Sequence, residues 1–440
     1  MKTERKILVS IGLISLLLIG ATIYSSINVT SIRTISGSTD DSYTKIRCGN
    51  GNMYAVSAAN LATALALGTE VILPPCNITI TSTLTPASNT ILRGAGSSQT
   101  ILFLPALGNK DIMSIVSKQD IKISGICFNL NNRSQTAHSS YSMIDITGVA
   151  GSFSKNITID SCSFLWGTTG SCVNCEDETE YITISNCDFR QREYFTPGWG
   201  SGIRFSSNYC TAKNNHFLNM YSGAIYLEYP HVTAPQKTSA YNLIDGNFIT
   251  GVGAIGIAIE GWGTTGTYAK AGMTVITNNV IWNLTGDYTG GYGTAFPRGI
   301  QAMNNCTVSN NVISGGGTIY GGIICNAGAG DYNIGVTITS NIVRDVTKYA
   351  INLENMRHCS VGDNILIGDT GSADGIQLYN AMWCTLTGNS IVGFAKGISE
   401  ETTSNYNIFI GNECDNNTVD IDLLPGANDV YLNMNIGTVV

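Results

Sequence analysis

Charged side chains are scarce in this chain: Asp, Glu, Lys and Arg make up 12% of its 440 residues, about half the roughly 25% usual for soluble domains. With 43% hydrophobic residues beside them, that scarcity excludes a disordered chain or a coiled coil, both of which depend on abundant charge. Positive charge is the rarer sign, 23 Lys plus Arg against 31 Asp plus Glu for a net charge of −8. No basic face is available to a phosphate backbone, so no nucleic acid partner is expected. Proline is also rare, with nine residues, whereas glycine is abundant, with 49. Together with dense Asn, Ser and Thr, this predicts many short strands joined by tight turns rather than long helices.

Long apolar runs are missing except at the start. Lys2, Arg5 and Lys6 precede an uncharged run from Ile7 to Tyr24, about as long as the minimum needed to cross a bilayer as a helix. Gly20-Ala21-Thr22-Ile23-Tyr24 makes a poor small-x-small cleavage site, which favours an uncleaved signal anchor over a signal peptide. The basic N-terminal flank then places residues 31–440 on the extracellular face, or secreted if the segment is removed. Residues 31–46 read as a linker.

The 13 cysteines are odd in number and lack a compact framework spacing, so most read as small core residues. A bridge, if present, is expected between Cys48 and Cys76. Cys172-Val-Asn-Cys175 has neither a partner pair nor a nearby His, which argues against zinc or redox chemistry. Sequons at Asn28, Asn77, Asn132, Asn156, Asn283, Asn305 and Asn416 are compatible with an exposed glycoprotein surface.

A repeat organises the rest of the chain. A small or thiol residue, alternating Thr with Val or Ile, then Asn and two apolar residues recur as Cys306-Thr-Val-Ser-Asn-Asn-Val-Ile313, Val336-Thr-Ile-Thr-Ser-Asn-Ile-Val343, Cys359-Ser-Val-Gly-Asp-Asn-Ile-Leu366 and Cys384-Thr-Leu-Thr-Gly-Asn-Ser-Ile391. The marker falls at Asn215, Asn247, Asn279, Asn311, Asn341, Asn364, Asn389 and Asn412, with Cys162 and Cys187 before and Asn435 after. Between markers lie short motifs such as Ala224-Ile-Tyr-Leu-Glu228, Gly256-Ile-Ala-Ile-Glu260 and Ala350-Ile-Asn-Leu-Glu354. Repeats of this length, with several strands and no helix, fit the rungs of an all-β parallel β-helix, a solenoid whose coils stack at about 4.8 Å. Asn side chains would then ladder between rungs, as would Ile203, Ile225, Ile257, Ile300, Ile323, Ile351, Ile376 and Ile398. Residues 55–67 have the apolar spacing of one amphipathic helix, placed to cap the open N-terminal end.

Residues 54–102 contain Ala-Val-Ser-Ala-Ala-Asn-Leu-Ala-Thr-Ala, Val71-Ile-Leu-Pro-Pro75, Asn77-Ile-Thr-Ile80, Leu84 and Ile91-Leu-Arg-Gly-Ala-Gly96. This stretch resembles the N-terminal cap and first coils of the pectate-lyase-like superfamily. The resemblance implies a right-handed parallel β-helix, with cap and first coils over 47–120 and the main solenoid over 121–440. It leaves activity open, because that superfamily spans lyases, hydrolases, epimerases, tailspikes and surface proteins.

With Ile facing inward, the residues one and three places later face solvent. The outward pairs are then Asp145 and Thr147, Asn174 and Glu176, Arg204 and Ser206, Tyr226 and Glu228, Ala258 and Glu260, Gln301 and Met303, Asn352 and Glu354, and Gln377 and Tyr379. Long loops at 190–201, 229–239, 261–272 and 282–298 border this stretch and carry aromatics including Trp199, Tyr229, Trp262, Tyr268 and Trp282, suited to sugar faces. Glu176, Gln301 and Glu354 complete the expected substrate-binding set.

Two catalytic readings follow. Glu228 and Glu260, one rung apart, fit a retaining glycosidase pair at roughly 5 Å. Alternatively Arg204, Tyr226 and His231 serve a uronate lyase, with Glu176 and Glu228 as possible Ca²⁺ ligands and no other cofactor required. Glu228-Tyr-Pro-His231 is similar to the Asp-Pro-His element of alginate epimerases, with Tyr229 in place of its Asp, and no polygalacturonase motif is found. The expected function is a cell-surface or secreted protein that binds and cleaves a polysaccharide. The alternative is a membrane-anchored adhesin or envelope protein that holds a cell-surface glycan without cutting it.

Overall fold

The computed structural model describes residues 44–105, 108–131, 141–165, 170–191, 200–228, 239–260, 272–286, 297–326, 333–369, 373–425, 427–432 and 434–436. Short strands follow one another around a coil, and each pairs in parallel with its equivalent one coil later. The rung of Thr211–Lys213, His216–Leu218 and Gly223–Glu228 lies against that of Leu243–Asp245, Phe248–Thr250 and Ile255–Glu260. Repetition gives three ladders. One is a 16-stranded sheet; the other two form a 24-stranded sheet, joined where Val312–Asn326 and Ile342–Glu354 run unbroken through both. The chain is an all-β parallel solenoid, as its repeat predicts.

The Ile column stacks in register from Ile203 to Ile398, every member buried. In another ladder Phe128, Phe164, Phe189 and Phe217 stack with centroids 5.3, 4.7 and 4.7 Å apart. Like on like is the natural packing here, because each side chain meets its own equivalent one strand spacing away.

The Asn markers close the core's most polar corner. Asn311 Nδ2 donates to Asn341 Oδ1 at 3.0 Å and to the Ile276 carbonyl at 3.0 Å. Its Oδ1 accepts both the main-chain N–H and Nδ2 of Asn279, each at 2.9 Å. The pattern repeats from Asn215 to Asn412. Each buried amide thus satisfies its own hydrogen-bonding groups, through the equivalent side chains of the coils on either side and main-chain groups of the preceding coil, which leaves none of them paying a desolvation penalty. Cys187 heads the column, its N–H donating to Asn215 Oδ1. At the other end the expected marker is displaced by one residue. Glu413 pairs with Asn435, so Asn412 Nδ2 meets Met434 Sδ at 3.5 Å instead.

At a second corner a bulky column occupies left-handed backbone. Tyr181, Tyr209 and Tyr241 have φ of 56°, 57° and 60°, as do His358, Trp383 and Tyr406 at 54°, 55° and 59°. This conformation costs about 1–2 kcal/mol for a residue with a Cβ. Parallel ring stacking, at 5.0 and 5.1 Å among the tyrosines and 5.2 and 6.0 Å in the second group, returns about 0.5–1.5 kcal/mol per pair.

All 13 cysteines are free thiols. Cys162 with Cys187 and Cys359 with Cys384 are rung neighbours, as expected. The bridge expected between Cys48 and Cys76 is not formed: Cys48 pairs with Val71 in one sheet, whereas Cys76 pairs with Thr100 in the other. The N-terminal helix spans Ala58–Leu65, shorter than its periodicity predicts, with Ser57 Oγ capping it by accepting from the Asn60 N–H. Among the described residues no helix is long and apolar enough to cross a membrane; residues 7–24 lie outside them.

Near the last coils one inward position carries an acid. Glu400 aligns with Leu378 in a column of inward residues and is 4% exposed. Asn407 Nδ2 donates to its Oε1 at 2.8 Å. Burial, reinforced by neighbouring Asp429, pushes the Glu400 carboxyl up to about 7.

Asn311→Ala is expected to remove four side-chain hydrogen bonds and strand their partners, lowering unfolding free energy by about 2–4 kcal/mol, measured by chemical denaturation. For Glu400 the folded chain keeps a proton that the unfolded chain has lost between about pH 4.5 and 7, so stability falls as pH rises through that window. Glu400→Gln is expected to flatten the pH dependence of Tm there and to raise Tm above pH 7.

Candidate functional site

The middle ladder presents its outward face through Val173–Glu176, Ser201–Phe205, Gly223–Glu228, Ile255–Glu260, Arg298–Ala302, Val312–Asn326, Ile342–Glu354, Asp374–Tyr379 and Lys396–Glu401. Pleating aligns Asp145, Asn174, Arg204, Tyr226, Ala258 and Gln301 in one column, continued by Ile324, Asn352, Gln377 and Ser399. A second column includes Thr147 with Glu176, Glu228 with Glu260, and then Asn326, Glu354, Tyr379 and Glu401. The outward pairs read from the sequence align along this face, including those before residue 200, except that Met303, expected outward beside Gln301, packs into the hydrophobic core. Buried Ala258 and Ile324 separate two polar sectors.

In the N-terminal sector Arg204 clasps two carboxylates from the rungs on either side. Its Nη1 lies 2.5 Å from Glu176 Oε1 and its Nη2 2.5 Å from Glu228 Oε2. Asn174 Nδ2 donates to Asp145 Oδ1 at 2.9 Å. Burial raises the Asp145 carboxyl, with Glu176 adding to the rise, and burial takes the Asp111 carboxyl up to about 6, with Asp145 adding to it. Asn174 Oδ1, Arg204 Nε and Ser206 Oγ are buried without a hydrogen-bond partner. The first two, an acceptor and a donor, stand on paired residues, so a small readjustment or one bridging water satisfies both.

The remaining expected residues divide. Tyr226 is 6% exposed, shares a hydrogen bond with Ser222 Oγ at 3.0 Å and covers the α-carbon of Gly223. Glu260 is aligned with Glu228 on the next rung, but its side chain lies outside the description, as do Trp199, Tyr229, His231, Trp262 and Tyr268. Trp282 is 47% exposed on a strand of a different ladder, paired with Thr250 and Ser314, and does not share the face of Glu228. For Ca²⁺, the guanidinium of Arg204 already stands between Glu176 and Glu228, and among the described residues no group of three or more His, Cys, Asp or Glu forms a cage for a metal ion.

The C-terminal sector holds a groove of about 420 Å³. Arg298 Nη1 donates to Gln301 Oε1 at 2.6 Å on one side. Lys348 Nζ sits 5.0 and 4.8 Å from the ring centroids of Tyr320 and Tyr349, and those two rings meet edge-on at 5.8 Å. Hydrogen bonding to both tyrosine hydroxyls raises the Lys348 ammonium above its usual range. The floor carries Asn352, whose Nδ2 donates to Gln377 Oε1 at 2.7 Å. Glu354 accepts from Asn326 Nδ2 at 2.8 Å, and burial raises its carboxyl while Arg298 and Lys348 pull it back.

Gln301 and Glu354 were expected at a binding surface; Arg298, Tyr320, Lys348 and Tyr349 were not. Strict alternation hid two of them, since Arg298 and Tyr349 stand two residues before the buried Ile300 and Ile351 and by count fall on the inward side.

Residues 264–437 match the family described as periplasmic copper-binding protein (NosD). No curated protein sequence matches the chain significantly. Among solved structures the chain is similar to the A-module of the mannuronan C-5 epimerase AlgE6 of Azotobacter vinelandii, at 13% identity and a TM-score of 0.51, covering 86% of this chain and 94% of that one. It is similar to the tailspike protein of the Escherichia coli bacteriophage HK620 in complex with a hexasaccharide, at 10% identity and a TM-score of 0.57, covering 90% and 83%. The surface adhesin PfbA of Streptococcus pneumoniae gives 14% identity and a TM-score of 0.57, covering 79% and 88%. These likenesses establish the fold. Copper does not fit the described donors: the cysteines within the matched stretch are buried, and His358 is stacked on Trp383.

Arg204→Met is expected to leave two acids without their shared partner and to lower stability by about 1–2 kcal/mol, the partial exposure of the pair limiting the loss. In urea unfolding Glu228→Gln is expected to cost more than Glu176→Gln, because side-chain exposure is 13% at Glu228 and 39% at Glu176.

Proposed function

The chain has the pectate-lyase-like right-handed parallel β-helix fold, and from that premise we propose that it binds a polysaccharide or cell-surface glycan along the outward face of its middle ladder. The observation that carries this reading is the juxtaposition of aligned amides, carboxylates and tyrosines with a groove of about 420 Å³, within the roughly 300–1,000 Å³ range of small-ligand sites. Repeating rungs match a repeating ligand, because equivalent side chains recur at every coil. The structural neighbours include a protein named for acting on mannuronan, one held with a hexasaccharide and a surface adhesin, which supports the ligand class. The same comparisons support a periplasmic or extracellular location, and residues 7–24 are proposed as the membrane anchor.

A second reading adds cleavage. It is favoured by the alignment of Glu228 with Glu260 on consecutive rungs, which allows two carboxyl groups about 5 Å apart, the spacing of a retaining glycosidase. In the lyase variant Tyr226 and His231 would serve as proton acceptors, but Arg204, engaged by Glu176 and Glu228, would have to leave both to neutralise a uronate. Ca²⁺ at Glu176 and Glu228 would likewise have to displace that guanidinium.

Affinity electrophoresis of the full-length protein through a polysaccharide panel, with Ca²⁺ and with EDTA, tests both readings. Retardation by at least one polysaccharide, equal in the two conditions, is the expected outcome; retardation by none ends the proposal. Ultraviolet-absorbing product would add a lyase, and new reducing ends without it a hydrolase. Either activity should fall at least about 100-fold in Glu228→Gln and Glu260→Gln if those groups act as acid or base.

A further inference from the structure

The groove between Arg298 and Glu401 holds a second pair of carboxylates, and what that pair can do rests on the glycan-binding reading above. Glu354, Tyr379 and Glu401 are register partners on three consecutive rungs, and all three line the groove. Two strand spacings separate the α-carbons of the acids, about 9.5 Å. Both side chains leave the sheet on the same side, so their carboxyl groups keep a spacing of that order, with Tyr379 standing between them in the column. Retaining glycosidases hold their two carboxyl groups about 5–5.5 Å apart, whereas inverting ones hold them about 6.5–9.5 Å apart to leave room for a water. Consecutive rungs suit the first chemistry and alternate rungs the second.

The surroundings of the two acids divide the roles between them. Glu354 Oε2 accepts from Asn326 Nδ2 at 2.8 Å, which leaves Oε1 to carry a proton, and burial raises this carboxyl although Arg298 and Lys348 pull it back. A raised carboxyl in a cleft is what a general acid needs. Glu401 reaches solvent, with 41% of its side chain exposed and Lys396 Nζ 4.0 Å from its Oε1, a position from which it can draw a proton from water. Arg298 commits Nη1 to Gln301 at 2.6 Å. A guanidinium carries five N–H donors, so others remain for the oxygens of a sugar.

We propose that this groove is an inverting glycoside-hydrolase site for an O-linked glycan, with Glu354 as general acid and Glu401 as general base. Glu401 takes a proton from a water as the oxygen of that water bonds to the anomeric carbon. The glycosidic C–O bond breaks with its electron pair going to the departing oxygen, which takes the proton of Glu354. The turnover leaves Glu354 ionised and Glu401 protonated, and one proton exchanged through solvent restores both. The product is a reducing sugar whose anomeric configuration is opposite to that of the bond cut.

Incubation of the full-length protein with amylose, pullulan, mixed-linkage glucan, xylan, galactan, soluble chitin oligosaccharides and polygalacturonate tests the inference, with reducing ends assayed and the first-formed anomer read by proton NMR. At least one polymer is expected to yield new reducing ends in the inverted configuration, and cleavage to fall at least about 100-fold in Glu354→Gln and in Glu401→Gln. On an aryl glycoside of the same sugar, whose phenolate leaves without help from an acid, Glu354→Gln is expected to lose less than about tenfold while Glu401→Gln loses as much as on the polymer. That split follows from the two roles and would not follow from disturbed folding. A retained anomer, an unsaturated product in place of a hydrolysed one, or undiminished cleavage in either variant would overturn the proposal. A polysaccharide that is retarded in the affinity gel but never cut would overturn it too and leave the glycan-binding reading standing. If no polysaccharide is retarded or cut, both fall together.

Discussion

A side-chain amide hydrogen-bonded to its equivalent on the next coil is the constraint from which the rest of this molecule follows. A solenoid has no global centre, so nothing but contact between consecutive rungs fixes how one coil sits on the next. The chain of bonds from Asn215 to Asn412 supplies that fix at a corner where main-chain groups would otherwise be buried unpaired. A slip of one residue would break three side-chain bonds at every step of this ladder and turn the Ile column outward. Hydrophobic stacking supplies bulk stability, but it discriminates poorly among registers offering similar apolar residues; the amide corner does discriminate.

With register fixed, the outward face is determined as well. Residues far apart in sequence become rung neighbours, and their chemistry is shared: Arg204 joins acids from the coils on either side of it, and Asn352 leans on Gln377. Both sectors pair their charged groups internally before any ligand arrives. That is the economical arrangement for a face of half-buried groups, since an unpaired charge there carries a large desolvation penalty. The cost is borne by a few atoms left over where the column changes character, as at Ile324, and these leftovers distinguish one stretch of the face from another.

Much of this was legible in the sequence because a solenoid writes its contacts into its period. The Asn markers, the stacked Ile residues and the outward pairs from Asp145 to Tyr379, Met303 excepted, could be placed by counting, since a period-two strand leaves two choices and the Ile residues settle which. The last marker failed for the same reason: counting to Asn435 missed the one-residue offset that puts Met434 beneath Asn412. Cys48 and Cys76 seemed paired by proximity along the chain, yet neighbouring strands of one coil belong to different sheets. The groove escaped because it depends on two strands running unbroken through a corner, Val312–Asn326 and Ile342–Glu354, where sequence pattern implied separate short pieces with a turn between them. Lys348 lies inside the second of these strands and was therefore invisible as a groove residue.

The spacing of the Asn corner carries one more implication. Successive markers are 32 residues apart as far as Asn311, then 30, and afterwards 23 to 25, yet the bonds between them are the same length throughout. Coil circumference along the amide spine is therefore independent of how much chain is spun out between strands. Excursions can be lengthened, trimmed or exchanged on one coil without transmitting strain to its neighbours, which makes the architecture a rack whose shelves are standard and whose fittings can evolve one at a time.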